Sequence, residues 1–275
     1  MKQPLAAALL VASLGAGAAG EPVRLPGPGI ELTGILHRPE GKGQFPAIVL
    51  MHGCSGLWQR DARPMPSYTF WAEHFSSQGF VALLLDSFGP RGEKEICTQK
   101  TRAISEARDR PKDAYAALAW LEGRDDVARG HVHLMGWSNG GSTTLFALRE
   151  GAPGAEGKGP RFRSGVAFYP GCGVLSKSSY RALAPILIQA GGADDWTPAA
   201  QCERLVKAAE GQSVEIDVYP GAYHAFDRLD LAIRVRPDAR NLSSPTGRNA
   251  TLGTDLQARA RSIERATAFI AAHDR

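Results

Sequence analysis

Two short, uninterrupted apolar runs constrain this chain more than any other feature: Pro46–Met51 (PAIVLM) and Phe80–Leu85 (FVALLL). A strand with one wet face alternates apolar and polar side chains. These runs have no polar position, so each reads as a strand buried on both faces of a parallel sheet. Between them Tyr68–Gln78 fits a helix ended by Gly79, and beyond them Pro111–Glu122 repeats Ala114, Leu118 and Leu121 at helical spacing. The alternation continues with a strand at His131–Met135, a helix at Asn139–Arg149, and strands at Ser164–Tyr169 and Pro185–Ala190. A helix at Pro198–Glu210, a strand at Val214–Tyr219 and a last helix near Thr254–His273 complete it. The expected fold class is α/β, a mostly parallel central sheet flanked by helices on both faces. A Pro/Gly-rich lead-in precedes Gly29–His37, which reads as an edge strand. Asp227–Thr254 is long, polar and turn-rich, and reads as an insertion or cap-like loop. No clean linker and no internal repeat divides the rest, so residues 21–275 read as a single domain.

The first twenty residues stand outside this pattern. Met1 and Lys2 precede an apolar stretch, Leu5–Leu14, and then small residues from Gly15 to Gly20. That order reads as a secretory signal peptide, residues 1–20, cleaved after Ala18 or Gly20. Its apolar centre is too short to span a bilayer, and no run near 18 apolar residues follows, so no membrane association is expected after cleavage. Secretion, with a lean toward a bacterial periplasm, changes how Cys54, Cys97, Cys172 and Cys202 read. None has zinc-site spacing, and four cysteines in an oxidising compartment suggest two disulfides, with three pairings open. The 32 basic residues are scattered among 28 acidic ones, which offers no positive stripe to nucleic acid.

The chemistry centres on Gly136-Trp137-Ser138-Asn139-Gly140-Gly141, a GxSxG sequence between a strand (HVHLMG) and a helix (STTLFAL). A sharp strand-to-helix turn needs glycines where backbones approach closely, and it lifts the central Ser138 hydroxyl to the top of the sheet. An alcohol is a poor nucleophile without a base, and the base needs an orienting carboxylate. Partners in such a fold follow in the order Ser, acid, His. His224, just after a strand in GAYHAF, supplies the base, with His273 the less favoured alternative. The acid belongs to the GGADDWTP segment, where Asp194 is the first choice and Asp195 the second. Oxyanion donors are expected from the N–H groups of Asn139 and of Cys54, in the HGCSG turn after PAIVLM. His52 has no second ligand nearby at metal spacing, and no metal or other cofactor is called for. Trp58, Trp71, Trp137 and Phe88 lie near strand ends, where aromatic side chains line a pocket or, more commonly, fill the core.

Four blocks, MHGCSG, DSFGPRG, GWSNGG with GGADDWTP, and HAF, resemble the dienelactone hydrolase family of the α/β-hydrolase fold, from about Gly29 to the C-terminus. The resemblance implies a sheet of eight strands or fewer with the site at its C-terminal edge, and it favours Asp194 through the spacing to Pro198. Two departures stand out. The family uses a cysteine nucleophile where this chain has Ser138, and a glutamate tunes that thiol at a position comparable here to His52. The chemistry implied is that of a serine carboxylesterase. The family also holds its substrate carboxylate with two arginines; Arg228 matches one, and Arg91 the other with a shift of one residue. The fold places Cys54 and Cys97 on loops at the catalytic edge, and it implies the pairings Cys54–Cys97 and Cys172–Cys202. The expected activity is hydrolysis of a small ester or lactone, and the arginine pair of the resemblance implies an anionic one. Peptidase or acyltransferase chemistry on the same residues, or a silent binding protein on this fold, are the alternatives.

Overall fold

The computed structural model describes residues 20–209, 211 and 213–275, so the expected signal peptide falls, apart from Gly20, outside the described residues. The two apolar runs form neighbouring parallel strands, β3 (Phe45–Met51) and β4 (Val81–Asp86). Every residue of β4 is buried, as a strand sandwiched between helical layers requires. Around them an eight-stranded sheet is completed by β1 (Glu21–Pro26), β2 (Glu31–His37), β5 (Val127–Trp137), β6 (Gly165–Phe168), β7 (Ile186–Gly191) and β8 (Val214–Tyr219), in the order β1-β2-β4-β3-β5-β6-β7-β8. Only β1 and β2 break the parallel run. The helices are α1 (Pro66–Ser77), α2 (Arg110–Glu122), α3 (Asn139–Ala147), α4 (Ala199–Ala208) and α5 (Leu256–His273). One face of the sheet packs against α1 and α5 through Trp71, Phe75, Phe269 and Ile270. The other packs against α2, α3 and α4 through Leu118, Leu121, Leu145 and Leu205. Burying both faces is what makes unbroken apolar strands stable.

One expectation is corrected and one is made specific. Gly29–His37 is not an edge strand: β2 pairs with β4 on one side and with β1 on the other, register Glu21↔Leu36 to Pro26↔Glu31. The lead-in supplies the edge itself. Its prolines, Pro22 and Pro26, obscured the alternation of buried Leu25 and half-buried Val23, yet proline is tolerated on an edge strand with a free side. The polar segment Asp227–Thr254, expected to be an insertion or cap-like loop, carries regular structure of its own. It folds into an antiparallel pair, β9 (Arg234–Arg240) and β10 (Arg248–Leu252), separate from the main sheet. This hairpin is strapped to the body. Gly253 N–H donates to the His224 carbonyl at 3.0 Å and Arg240 N–H to the Cys97 carbonyl at 2.9 Å. Among the described residues no helix is long and apolar enough to cross a membrane.

Candidate active site

Strand β5 ends at Trp137 and α3 begins at Asn139, so the chain reverses about Ser138 alone, at φ 53° and ψ −115°. That left-handed backbone is unfavourable for a residue with a side chain, and the surrounding glycines explain how it is held. A Cβ on Gly136 would lie 2.3 Å from the Gly140 carbonyl oxygen, and one on Gly140 would lie 2.0 Å from that of Met51. The turn thus closes only with glycine on both sides, packed directly onto the end of β3.

Three side chains from three strand ends meet here. His224 Nε2 is 2.9 Å from Ser138 Oγ, and His224 Nδ1 is 2.7 Å from Asp194 Oδ2. Both His224 and Asp194 are buried. Asp194 is fixed by its own turn, accepting N–H bonds on Oδ1 from Trp196 at 2.8 Å and Thr197 at 2.9 Å. The Thr197 hydroxyl lies 2.9 Å from Asp194 Oδ2. The imidazole sits between two rings, Tyr169 and Trp196, with centroids 4.6 and 4.7 Å away. Asp195 faces elsewhere. Its carboxylate accepts from Thr251 N at 2.8 Å and from Thr251 Oγ1 at 2.6 Å, anchoring the hairpin. His273 bonds a carbonyl of its own helix, Phe269 O, at 2.8 Å.

The Cys54 N–H makes no hydrogen bond within the described residues, and Asn139, the first residue of α3, has no intrahelical acceptor for its own. Behind these two amides lies Arg110, fully buried. It donates to Asn139 Oδ1 at 2.5 Å and to the His52 carbonyl at 2.8 Å, and so ties the turn after β3 to the turn after β5. Burial lowers its pKa to about 10, still well above neutrality. Burial, with Arg110 adding to it, lowers the His52 pKa to about 3. Neutral His52 bonds on both nitrogens, from Nδ1 to the Gly53 carbonyl at 2.8 Å and to Nε2 from Ser87 N–H at 3.3 Å. It is a structural residue with no nitrogen left for a metal.

A cavity of about 1160 Å³ opens over Ser138 and His224. Trp58 and Trp137 line it, whereas Trp71 and Phe88 are core. The hairpin contributes a wall through Arg234–Pro237. Arg228 also lines the cavity, and its guanidinium has no carboxylate within 4.0 Å among the described residues. Arg91 does not join it. Its guanidinium is bidentate to buried Asp113, at 2.9 and 2.8 Å, and also bonds the Ser87 carbonyl. That is a pairing of loop to α2, which corrects its expected place beside the substrate. Cys54 and Cys97 are disulfide-bonded, as are Cys172 and Cys202.

Several residues at the site carry no sequence signal. Tyr68 and Tyr169 belong to no motif, and Trp196 and Thr197, although inside GGADDWTP, have no role assigned to them there. Asp227, three residues after His224, is buried and accepts from Trp71 Nε1 at 3.0 Å, Trp137 Nε1 at 2.9 Å and the Tyr169 hydroxyl at 2.7 Å. Only its nearness to HAF hinted at a role.

Residues 32–273 match the dienelactone hydrolase family. The chain belongs to that family. It is therefore a hydrolase acting on esters or lactones. Over 209 residues it is 28% identical to a Bradyrhizobium protein assigned as a 2-oxo-3-(5-oxofuran-2-ylidene)propanoate lactonase, covering 70% of this chain and 77% of that one. Over 244 residues it is 25% identical to a Methylorubrum extorquens protein assigned as a carboxymethylenebutenolidase, covering 82% and 78%. Its fold resembles that of a crystal structure assigned as a dienelactone hydrolase from Klebsiella pneumoniae, with TM-score 0.67 and 17% identity over 92% of this chain and 99% of that one. At that identity the likeness speaks to the α/β-hydrolase fold alone.

Proposed function

We propose that this member of the dienelactone hydrolase family is an exported serine hydrolase that cleaves carboxylic esters or lactones through an acyl-enzyme. The supporting observation is the run of hydrogen bonds from Ser138 Oγ through His224 to Asp194 at the floor of the cavity. Ser138 Oγ attacks the carbonyl carbon while His224 Nε2 takes its proton. Asp194 holds Nδ1–H and stabilises the imidazolium that forms. The N–H groups of Cys54 and Asn139 receive the negative charge on the carbonyl oxygen. His224 then passes its proton to the leaving alkoxide; water, deprotonated by the same nitrogen, attacks the acyl carbon, and His224 returns that proton to Ser138 Oγ as the acid leaves. Each proton transfer needs His224 to enter the step as the neutral base. The two disulfides favour an oxidising compartment, in keeping with the expected signal peptide.

For the substrate we propose an anionic ester or lactone, held by Arg228 through a charge-assisted bond. Arg228 lines the cavity without a carboxylate partner among the described residues, and the Bradyrhizobium relative is named for a propanoate lactone. The test is hydrolysis of short p-nitrophenyl esters by the mature protein and by Ser138→Ala. A fall of about a thousandfold or more in the variant is expected. Equal rates in the two would remove Ser138 from the mechanism.

A further inference from the structure

Two amides follow β3 in the turn beside Ser138, and they are treated differently. Cys54 N–H is free, whereas Gly53 N–H donates to the Tyr68 hydroxyl at 2.8 Å. Tyr68 lies in the first turn of α1, which Pro66 opens, and its ring packs against Trp137 at a centroid distance of 5.2 Å. Because the phenolic oxygen accepts from Gly53, its own O–H points away from that bond, and no described residue accepts it. Tyr68 lines the same cavity as Ser138. A Cβ built on Gly53 would be 3.3 Å from Tyr68 Oη and 3.5 Å from Ser138 Cβ, which puts these two atoms no more than about 7 Å apart. One tetrahedral carbon on Ser138 Oγ, its oxyanion and one hydrogen bond span that interval.

We infer that Tyr68 is a catalytic residue, whose O–H donates a hydrogen bond to the oxyanion alongside Cys54 N–H and Asn139 N–H. The inference rests on Ser138 being the nucleophile. Accepting from a backbone amide polarises the phenol and strengthens its O–H as a donor. The charged groups nearest in effect are Arg228, Asp227 and Arg110. Burial outweighs the two arginines and raises the Tyr68 pKa, so the proton stays on oxygen across the working range. A neutral donor fixed before the reaction strengthens its bond as charge develops, and so acts on the transition state more than on the bound ester.

Tyr68→Phe keeps the ring and removes the hydroxyl. The expected result is a fall in kcat of about a hundredfold with KM within about twofold. A trifluoromethyl ketone, which adds to Ser138 to leave an oxyanion, should lose affinity by the same factor, while the product acid binds as before. An unchanged kcat overturns the inference, as does a parallel loss of ketone and acid affinity, which would make Tyr68 a wall of the cavity only. Incorporating 3,5-difluorotyrosine at position 68 keeps shape and acceptor, and so keeps the question open to test should Tyr68→Phe unfold. Its more acidic phenol should bring a new alkaline loss of kcat at a pH where the parent enzyme is fully active. A pH profile identical to the parent's overturns the inference. Substantial activity in Ser138→Ala would instead refute the underlying nucleophile assignment, whatever Tyr68→Phe does.

Discussion

The Cys54–Cys97 bridge ties the residue proposed as an oxyanion donor to a loop that itself anchors the hairpin, and Cys97→Ala separates its two effects. The bond closes 43 residues of chain. Loop-closure entropy for that length is worth about 4 kcal/mol at 25 °C as an upper figure, and the Cys172–Cys202 bridge, closing 30 residues, is worth about 3.6 kcal/mol on the same relation. Against a typical stability of roughly 5–15 kcal/mol, either loss leaves a folded protein, with a midpoint lowered by roughly 10 °C. Activity should respond differently. Without its disulfide, the segment keeps the bonds from Ile96 N–H to Cys54 O at 2.8 Å and from Gly56 N–H to Gly53 O at 3.2 Å, with Gly53 N–H to Tyr68 and Arg110 to the His52 carbonyl just before it, but none of them holds the Cys54 amide itself. Cys97→Ala should therefore lower kcat about tenfold at 25 °C with KM within about twofold, because the misplaced donor serves the transition state. Cys202→Ala, in the core layer under α4 and apart from the Cys54–Cys97 cluster, should match its thermal loss and keep kcat within about threefold. Thermal unfolding by circular dichroism and steady-state rates on p-nitrophenyl acetate measure both. Equal kcat in the two variants would refute the argument that the bridge serves the oxyanion turn.

The neighbouring carboxylates separate cleanly: Asp194→Asn should cut kcat by roughly 10⁴-fold, whereas Asp195→Asn, which only loosens Thr251, should keep it within about threefold, and a reversed order on the same ester would exchange their roles. His52 makes the fold acid-sensitive. Its folded pKa, about 3, lies below the usual 6.5, so the stability it confers is complete above pH 6.5 and falls as the pH drops toward 3. Between pH 7 and pH 5 that amounts to about 2 kcal/mol, a difference urea denaturation should find reduced in His52→Gln; an unchanged pH slope would refute it. Arg228→Ala should raise KM for an anionic ester about tenfold and leave a neutral ester of the same size alone, and equal changes for both would remove the carboxylate from its role.

What the chain reveals without coordinates is whatever is local. PAIVLM and FVALLL lie in neighbouring parallel strands because an unbroken apolar run has few other places to go. GWSNGG marks a turn because a Cβ on Gly136 or Gly140 would fall 2.0–2.3 Å from a backbone oxygen of the turn itself or of the adjacent strand. Elsewhere the local signal fails for identifiable reasons. RVRPDAR carries no apolar alternation, since the hairpin it builds has mostly solvent-facing positions and is held by bonds to Cys97, Asp195 and His224. Arg91 sits in a motif shared with the family, yet Asp113, 22 residues away, decides where its guanidinium points. Tyr68 reaches Gly53 across 15 residues, Arg110 reaches His52 across 58, and Asp227 reaches Trp71 across 156. No spacing rule encodes such contacts.

Two of these illegible residues point to how the site is held in shape. Arg110 and Asp227 are buried charges of opposite sign, and neither has an oppositely charged side chain within 4.0 Å among the described residues. Each is instead surrounded by polar atoms that belong to the site. Arg110 grips the carbonyl of His52 and the side chain of Asn139, on the two turns that carry the proposed oxyanion donors. Asp227 collects Trp137, next to Ser138, and Tyr169, against His224. A buried ion without a counter-ion is costly, and apolar residues of similar volume commonly serve a core as well or better. Stability therefore gives no reason for either charge. A charge with few acceptors or donors in reach does, however, allow one arrangement of them and penalises every other by the full cost of a lost charged hydrogen bond, about 1.5–3 kcal/mol each. That is the kind of restraint needed where a shift of Asn139 or Trp137 would misalign Ser138, and it accounts for why both ions bond the residues on either side of Ser138.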